Sequence, residues 1–418
     1  MTTEISAGNR PATTADAARR RTPEERSHAV HSEHVGSLLR PPALLAARRR
    51  HDEGRLSAAG LHAAEDRAIA DVLDAQRSLG IGVLTDGEFR RSWFGENLFR
   101  AVRGLVTRPA RSTGRKWVGP GNAVSETAEK VQHTIVREGN GSLTATGRVS
   151  ASRSVNGHEA DFLLAHTDDE LFKVTTMAPA AYTESWFVPG AAPEYPRGVD
   201  LLSDIAQILR HELTHLADLG VPYLQLDSLS YILRFGDEGE TQRFLSILGA
   251  DREEAITALL AADNSILDAA RSHGAITSVH MCRGNSRSAW NAKAGTYEVA
   301  RRALAELHAD RLLLEYDTSR AGGFEPLDEV PKDTVVVLGL VTSKFAELES
   351  RDQLLQRIEE AAAHHPIEAL ALSPQCGFAS TSPGNLITID DEFRKLDLIA
   401  RVAEEVWGRS DSSEASPN

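Results

Sequence analysis

Residues 275–285 read AITSVHMCRGN, and the fold of the whole chain can be worked out from this stretch. Its lead-in is short, apolar and β-rich, which is the pattern of a buried strand. In a strand, residues i and i+2 point to the same side, so His280 and Cys282 leave its downstream end together. That is half of a metal site. The only other cysteine, Cys376, stands in LALSPQCG at the end of another apolar run, and Glu315 closes a third, RLLLEYD. An imidazole, two thiolates and a carboxylate, each at the downstream end of a strand-like run, make a four-ligand zinc set. The competing reading of two cysteines in 418 residues is that they are small buried hydrophobes.

Outward from this strand the pattern repeats. Strand-like runs occur at HVGS (34), GVLTDGE (82), KVTTMAP (173), YLQLDS (223), AITSVHMC (275), RLLLEYD (311), TVVVLGLVTS (334) and LALSPQCG (370). Amphipathic helical stretches at about 59–79, 200–219, 251–273, 292–307, 347–363 and 390–407 separate or follow most of them. Eight strands with helical returns predict an α/β fold, a (β/α)8 TIM barrel, rather than an open doubly wound sheet. Ser37, Glu88, Asp227, Cys282, Glu315 and Cys376 all fall at the downstream ends of their runs, the face where barrel active sites form.

The predicted organisation is a mobile N-terminal arm at 1–29, a barrel at 30–408 and a disordered tail at 409–418. After the second strand, an insertion at about 94–172 is expected to contain a β-hairpin, VQHTIVRE and SLTATGRVS joined by Gly139, Asn140 and Gly141. The acidic 228–250 loop is expected to fold over the opening.

Composition narrows the function. A formal charge of -14 argues against nucleic-acid binding, which needs a basic surface. The longest apolar runs, such as VVVLGLV, are strand-length, so no membrane span is expected. Two cysteines cannot form a disulfide framework, which fits a reducing cytoplasm. Arg19, Arg20 and Arg21 lead into TPEERS, not an apolar segment, so no secretory signal is expected. A second metal motif, HELTH, places His211, Glu212 and His215 in the HExxH pattern of zinc proteases. Its helix packs through Leu202, Ile205, Leu209, Leu213, Leu216 and Leu219, so His211 should face away from the barrel and His215 should reach only the edge of the apolar stripe.

Ligand charge points to a chemistry. Two thiolates and a carboxylate more than offset the charge of zinc, leaving a poor activator of water. Such a zinc still stabilises a substrate thiol as thiolate without withdrawing much of its nucleophilicity, so alkyl transfer to a zinc-bound thiol is expected. A closed structural zinc is the alternative, but its ligands usually cluster in short knuckles, whereas these come from three separate strands.

HVGSLLRP, TDGEFRRSWF, YLQLDS, HMCRGN, LLEYDTSRAGGFEPL, VVLGLVTSKFAELE and LSPQCGFAS together resemble the cobalamin-independent methionine synthase family, specifically its single-barrel members similar to the C-terminal catalytic half. The resemblance covers most of residues 33–408. It implies a (β/α)8 barrel, zinc on His280, Cys282, Glu315 and Cys376, and methyl transfer to homocysteine. It also implies that Ser37 and its backbone hold the carboxylate of the amino-acid thiol, with Glu88 and Asp227 on its ammonium. Arg283 and Asn285, beside the ligands, are candidates for an anionic substrate group, and Trp93, Trp186 and Trp290 for stacking on a flat donor ring. The chain departs from the long enzymes in two places. Asp227 is followed by Ser228 and Leu229 where they have DEP, and Val341, Thr342, Ser343 and Lys344 occupy the neighbourhood of their proton-donating histidine. The donor is therefore left open between methyl-folate and a methylated corrinoid. Thiol addition to an epoxide and demethylation of a specialised metabolite are the alternatives within this chemistry. An HExxH protease and a non-catalytic zinc or ligand-binding barrel are alternatives outside it, and a homo-oligomer is left open.

Overall fold

The computed structural model describes residues 22–108, 116–119, 124–125 and 142–408. Six parallel strands form its central sheet: β1 Lys173–Met177, β2 Tyr223–Ser228, β3 Ile276–Met281, β4 Arg311–Glu315, β5 Val335–Val341 and β6 Leu370–Pro374. Spatial order follows chain order from β1 to β6. Every residue of these strands is buried, as expected for parallel strands covered on both faces. Parallel neighbours need long crossovers, and helices supply most of them. Gly198–Asp218 lies between β1 and β2, Arg252–Ser272 between β2 and β3, Arg351–Ala362 between β5 and β6, and Ile389–Trp407 follows β6. Between β3 and β4 the helix is only Arg301–Glu306, shorter than the predicted 292–307.

The first two predicted strands do not form: the run at 82 is reduced to one backbone bridge, and a second bridge falls just ahead of the run at 34. Ser32 bridges Leu372 of β6, and Leu84 bridges Phe172 beside β1, both in parallel sense. The Gly82 amide also donates to the Ser32 carbonyl at 3.1 Å. Both segments run directly into turns with positive φ, at Gly36 and at Gly87–Glu88, which explains why they are short.

Residues 131–138, the first arm of the expected hairpin, lie outside the described residues. Its second arm is a strand, Ser142–Ala151, paired antiparallel with Val102–Arg108. Residues 1–21 of the expected arm and the tail 409–418 also lie outside the described residues. Within the arm, Pro23–His28 is a helix with a Thr22 capping box, and Arg311 donates to the Ser27 carbonyl beneath the sheet.

A buried polar layer fills the upstream end of the sheet. The Glu33 carboxylate accepts from Lys173 Nζ at 2.5 Å, Arg311 Nε at 2.7 Å and the Tyr223 hydroxyl at 3.2 Å. Burial alone would raise this carboxyl, but the Lys173 and Arg311 cations outweigh it and hold it down at about 2. Its stabilising contribution is therefore present above the ordinary carboxylate range and is lost only as pH falls toward 2. Glu33→Gln strands two buried cations, so urea denaturation is expected to show a loss of about 3–5 kcal/mol. A loss below about 1 kcal/mol would mean that the cations are neutralised in some other way.

Candidate metal centre

At the opposite, downstream end the strands deliver the predicted ligands to one point. His280 is the penultimate residue of β3 and Glu315 the last of β4; Cys282 follows β3 and Cys376 follows β6. One ligand atom from each lies within 4.8 Å of every other. The two sulfurs are 3.9 Å apart, and His280 Nε2 is 3.7 Å from Glu315 Oε1.

Local structure holds each ligand in place. The Arg283 amide donates to Glu315 Oε1 at 2.9 Å and the Gly284 amide to Cys282 Sγ at 3.3 Å, so the turn after β3 positions two ligands at once. The Tyr297 hydroxyl accepts from the Glu315 amide at 2.6 Å. Both ring nitrogens of His280 are buried with no hydrogen-bond partner among the described residues. Buried polar atoms are rarely left so, and an imidazole aimed at two sulfurs and a carboxylate fits a metal ion. The donor set, one nitrogen, two sulfurs and one carboxylate oxygen, suits tetrahedral zinc.

The charges within this cluster are coupled. The Cys282–Cys376 contact pushes the Cys282 thiol up and the Cys376 thiol well down, so a proton between them belongs to Cys282. Burial raises the Glu315 carboxyl to about 7, with the Cys376 thiolate adding to it. Burial pulls His280 down, but Cys376, Asp227 and Glu315 around it outweigh that and hold it up at about 9. Those protons must leave when a metal binds. Zinc affinity, measured by chelator competition, is therefore expected to fall about tenfold or more for each unit that pH drops from 8 to 6. A flat profile would count against these four ligands.

A cavity opens beside the cluster. Ser37, Glu88, Asp227 and Asn285 line it together with His280, Cys282 and Cys376, and its outer wall is Phe94, Trp117, Leu229 and Leu233. Asp227 is the register partner of His280 across β2 and β3. Gln225, on the same face of β2, donates to Asp227 Oδ1 at 2.7 Å and fixes its orientation. Burial raises the Asp227 carboxyl to about 7, and Glu88 adds to the rise against His280. Glu88 sits at φ +57°, an uncommon conformation for a side-chain-bearing residue. It accepts from Thr175 Oγ1 at 2.9 Å and lies 3.8 Å from Arg91. Gly36 allows this approach, since a Cβ there would meet Thr175 Cγ2 at 2.9 Å and Glu88 Oε1 at 3.0 Å.

Other expected residues are placed differently. Asn285 donates to the Gly377 carbonyl at 2.8 Å and keeps a buried Oδ1 without a partner among the described residues. Arg283 does not line the cavity, because its guanidinium is spent on the carbonyls of Gly295 and Arg320. Trp186, expected to stack on a donor ring, is fully buried against Phe99 and Tyr182, so neither face is open to a ligand. Trp93 packs edge-on against Phe94 and Phe99. The tryptophan in the cavity wall is Trp117, which sequence reasoning did not single out. It belongs to a small antiparallel sheet in which 117–118 pairs with Trp290 and Asn291. The 228–250 stretch contributes Leu229 and Leu233 to the cavity wall.

The HExxH residues do not converge. Glu212 is buried and accepts from Ser154 Oγ and the Asn156 amide, both at 2.7 Å, while His211 and His215 are exposed. Among the described residues, the metal-ligand grouping is the one at His280.

The chain is similar to known proteins over most of its length. The catalytic domain of the cobalamin-independent synthases matches residues 194–389, the span that carries Asp227 and all four candidate ligands. The uncharacterized protein YxjH of Bacillus subtilis is 33% identical over 390 residues, covering 93% of this chain and 97% of its own. The chain belongs to the cobalamin-independent methionine synthase family. A methionine synthase of Saccharolobus islandicus is 22% identical over 343 residues, covering 82% of this chain and 86% of its own. The structure of a B12-independent methionine synthase from Shewanella sp. W3-18-1, in complex with selenomethionine, superposes with a TM-score of 0.65 at 20% identity, over 90% of this chain and 97% of that one. The fold is thus the TIM-barrel-type α/β fold of these methionine synthase catalytic domains. Among the described residues, no helix is long and apolar enough to cross a membrane.

Proposed function

We propose that the protein is a zinc-dependent thiol methyltransferase whose acceptor is homocysteine. The observation that carries this reading is the pairing of a four-ligand thiolate-rich cluster with two buried acids, Glu88 and Asp227, in one cavity. Zinc held by His280, Cys282, Glu315 and Cys376 would supply the positive charge that keeps a substrate thiol ionised near neutral pH.

The chain's own residues do the rest. Asp227, held by Gln225, and Glu88, held by Thr175, form a two-carboxylate seat for an ammonium. Ser37 and the adjoining glycine turn face the same cavity and take the carboxylate. With both ends of the amino acid fixed, its sulfur is directed at the cluster. Phe94, Trp117, Leu229 and Leu233 form a largely apolar wall against which a donor, methyl-folate or a methylated corrinoid, presents its methyl group. The sulfur lone pair forms the new S–C bond as the bond from methyl to donor breaks, its electron pair leaving with the donor, and alignment of the two partners lowers the barrier. The backbone bonds from β6 through Ser32 and Gly82 to Leu84 and β1 support an eight-element closed barrel carrying this site.

Zinc-edge X-ray absorption on metal-quantified protein, with and without homocysteine, tests the reading. A third sulfur in the zinc shell on addition of homocysteine is expected. An unchanged two-sulfur shell at saturating thiol would rule homocysteine out as acceptor.

A further inference from the structure

The loop after β5 carries a cation that the proposed reaction leaves unassigned. β5 lies between β4, which ends at Glu315, and β6, which leads to Cys376. Lys344, three residues beyond the end of β5, therefore emerges between the two strands that deliver these ligands. Its side chain is completely buried, and its Nζ has no hydrogen-bond partner among the described residues. The indole ring of Trp290 lies 5.7 Å from Nζ. One aromatic face is weak compensation for a desolvated ammonium, so the charge must be balanced by a field of opposite sign.

Two sources of that field are at hand. Asp317, two residues beyond Glu315, keeps Oδ2 buried without a partner among the described residues. The metal cluster is the other. Two thiolates and a carboxylate carry three negative charges against the two positive charges of zinc, and an incoming thiolate adds a fourth. Lys344 lies within electrostatic reach of both Glu315 and Cys376.

We propose that Lys344 is a positioning residue, a fixed positive charge that lets the metal centre accept its substrate as an anion. This rests on the thiol chemistry proposed above. The residue acts through the Glu315 and Cys376 pair and not by touching the reacting atoms. It therefore favours the thiolate substrate over the neutral thioether product, which carries no charge on sulfur.

The test is calorimetric titration of homocysteine and of methionine into zinc-loaded wild type, Lys344→Met and Lys344→Arg, in two buffers of different ionisation enthalpy so that proton release is counted. Lys344→Met is expected to weaken homocysteine about tenfold, the loss of one favourable charge interaction screened by its surroundings, and to leave methionine unchanged. Lys344→Arg should restore homocysteine binding. Equal weakening of both ligands would mark Lys344 as a packing residue, and unchanged homocysteine binding would mean that its charge is spent on Asp317; either overturns the proposal. If Lys344→Met fails to fold or to take up zinc, Lys344→Gln provides the same comparison. Wild type that binds homocysteine without releasing a proton would defeat the thiol chemistry itself, and this inference with it.

Discussion

Cys376→Ser and Cys282→Ser are each expected to lose more than about nine-tenths of bound zinc and to lower thiol-dependent methyl transfer by about a thousandfold or more. A serine hydroxyl keeps its proton at neutral pH and is a poor ligand for zinc, so the substitution removes one sulfur donor and one negative charge together. The remaining cysteine also loses the neighbour 3.9 Å away whose contact sets its ionisation. Among the described residues, neither side chain carries another hydrogen bond that the fold depends on; Cys282 accepts from the amide of Gly284. Circular dichroism should therefore stay close to wild type while metal content collapses. His211→Ala is the control, since an exposed imidazole outside the cluster should leave zinc in place. Full activity in a zinc-free Cys376→Ser preparation would sink the mechanism.

Asp227→Asn is expected to keep its zinc and lower kcat/KM for homocysteine by about 30- to 100-fold, the loss of roughly 2–3 kcal/mol from a charge-assisted bond to an ammonium. Asparagine preserves the shape but not the charge. Gln225 would then face an amide that can still accept its hydrogen bond, so local structure should persist. Glu88→Gln should behave similarly, because the two acids line the same cavity. The discriminating comparison is a thiol of the same length without an amino group. Its turnover should be nearly indifferent to Asp227→Asn, and a parallel loss for both thiols would show that Asp227 serves the metal centre instead.

Much of this arrangement was legible from strand arithmetic. His280 and Cys282 sit at i and i+2 at a strand end, and Glu315 closes an uninterrupted apolar run, so their direction follows from the pleat alone. The same arithmetic applied to Gln225 and Asp227 would have found the orienting amide. Residues delivered by irregular backbone were not legible. Trp117 and Phe94 reach the cavity from segments without periodic spacing, and nothing in the sequence around Trp186 reveals that Phe99 and Tyr182 cover it. Arg283 misled for a different reason. Its position beside the ligands was readable, but the carbonyls of Gly295 and Arg320 that consume its donors come from loops distant in sequence. The first two runs were read as strands, but each is represented by a single bridge, the first at Ser32 just before the expected run and the second at Leu84 within it, where glycine turns follow.

The carboxylate of Glu392, in the last helix, accepts a hydrogen bond from the Leu39 amide at 2.9 Å, two residues beyond Ser37. The cavity is thus tied together by parts of the chain 353 residues apart. The last of the four ligands, Cys376, is synthesised shortly before the helix that holds the Ser37 turn in place. A ribosome-bound chain that has displayed His280, Cys282 and Glu315 still has only one thiolate to offer a metal. The full four-ligand set therefore exists only once Cys376 has been added.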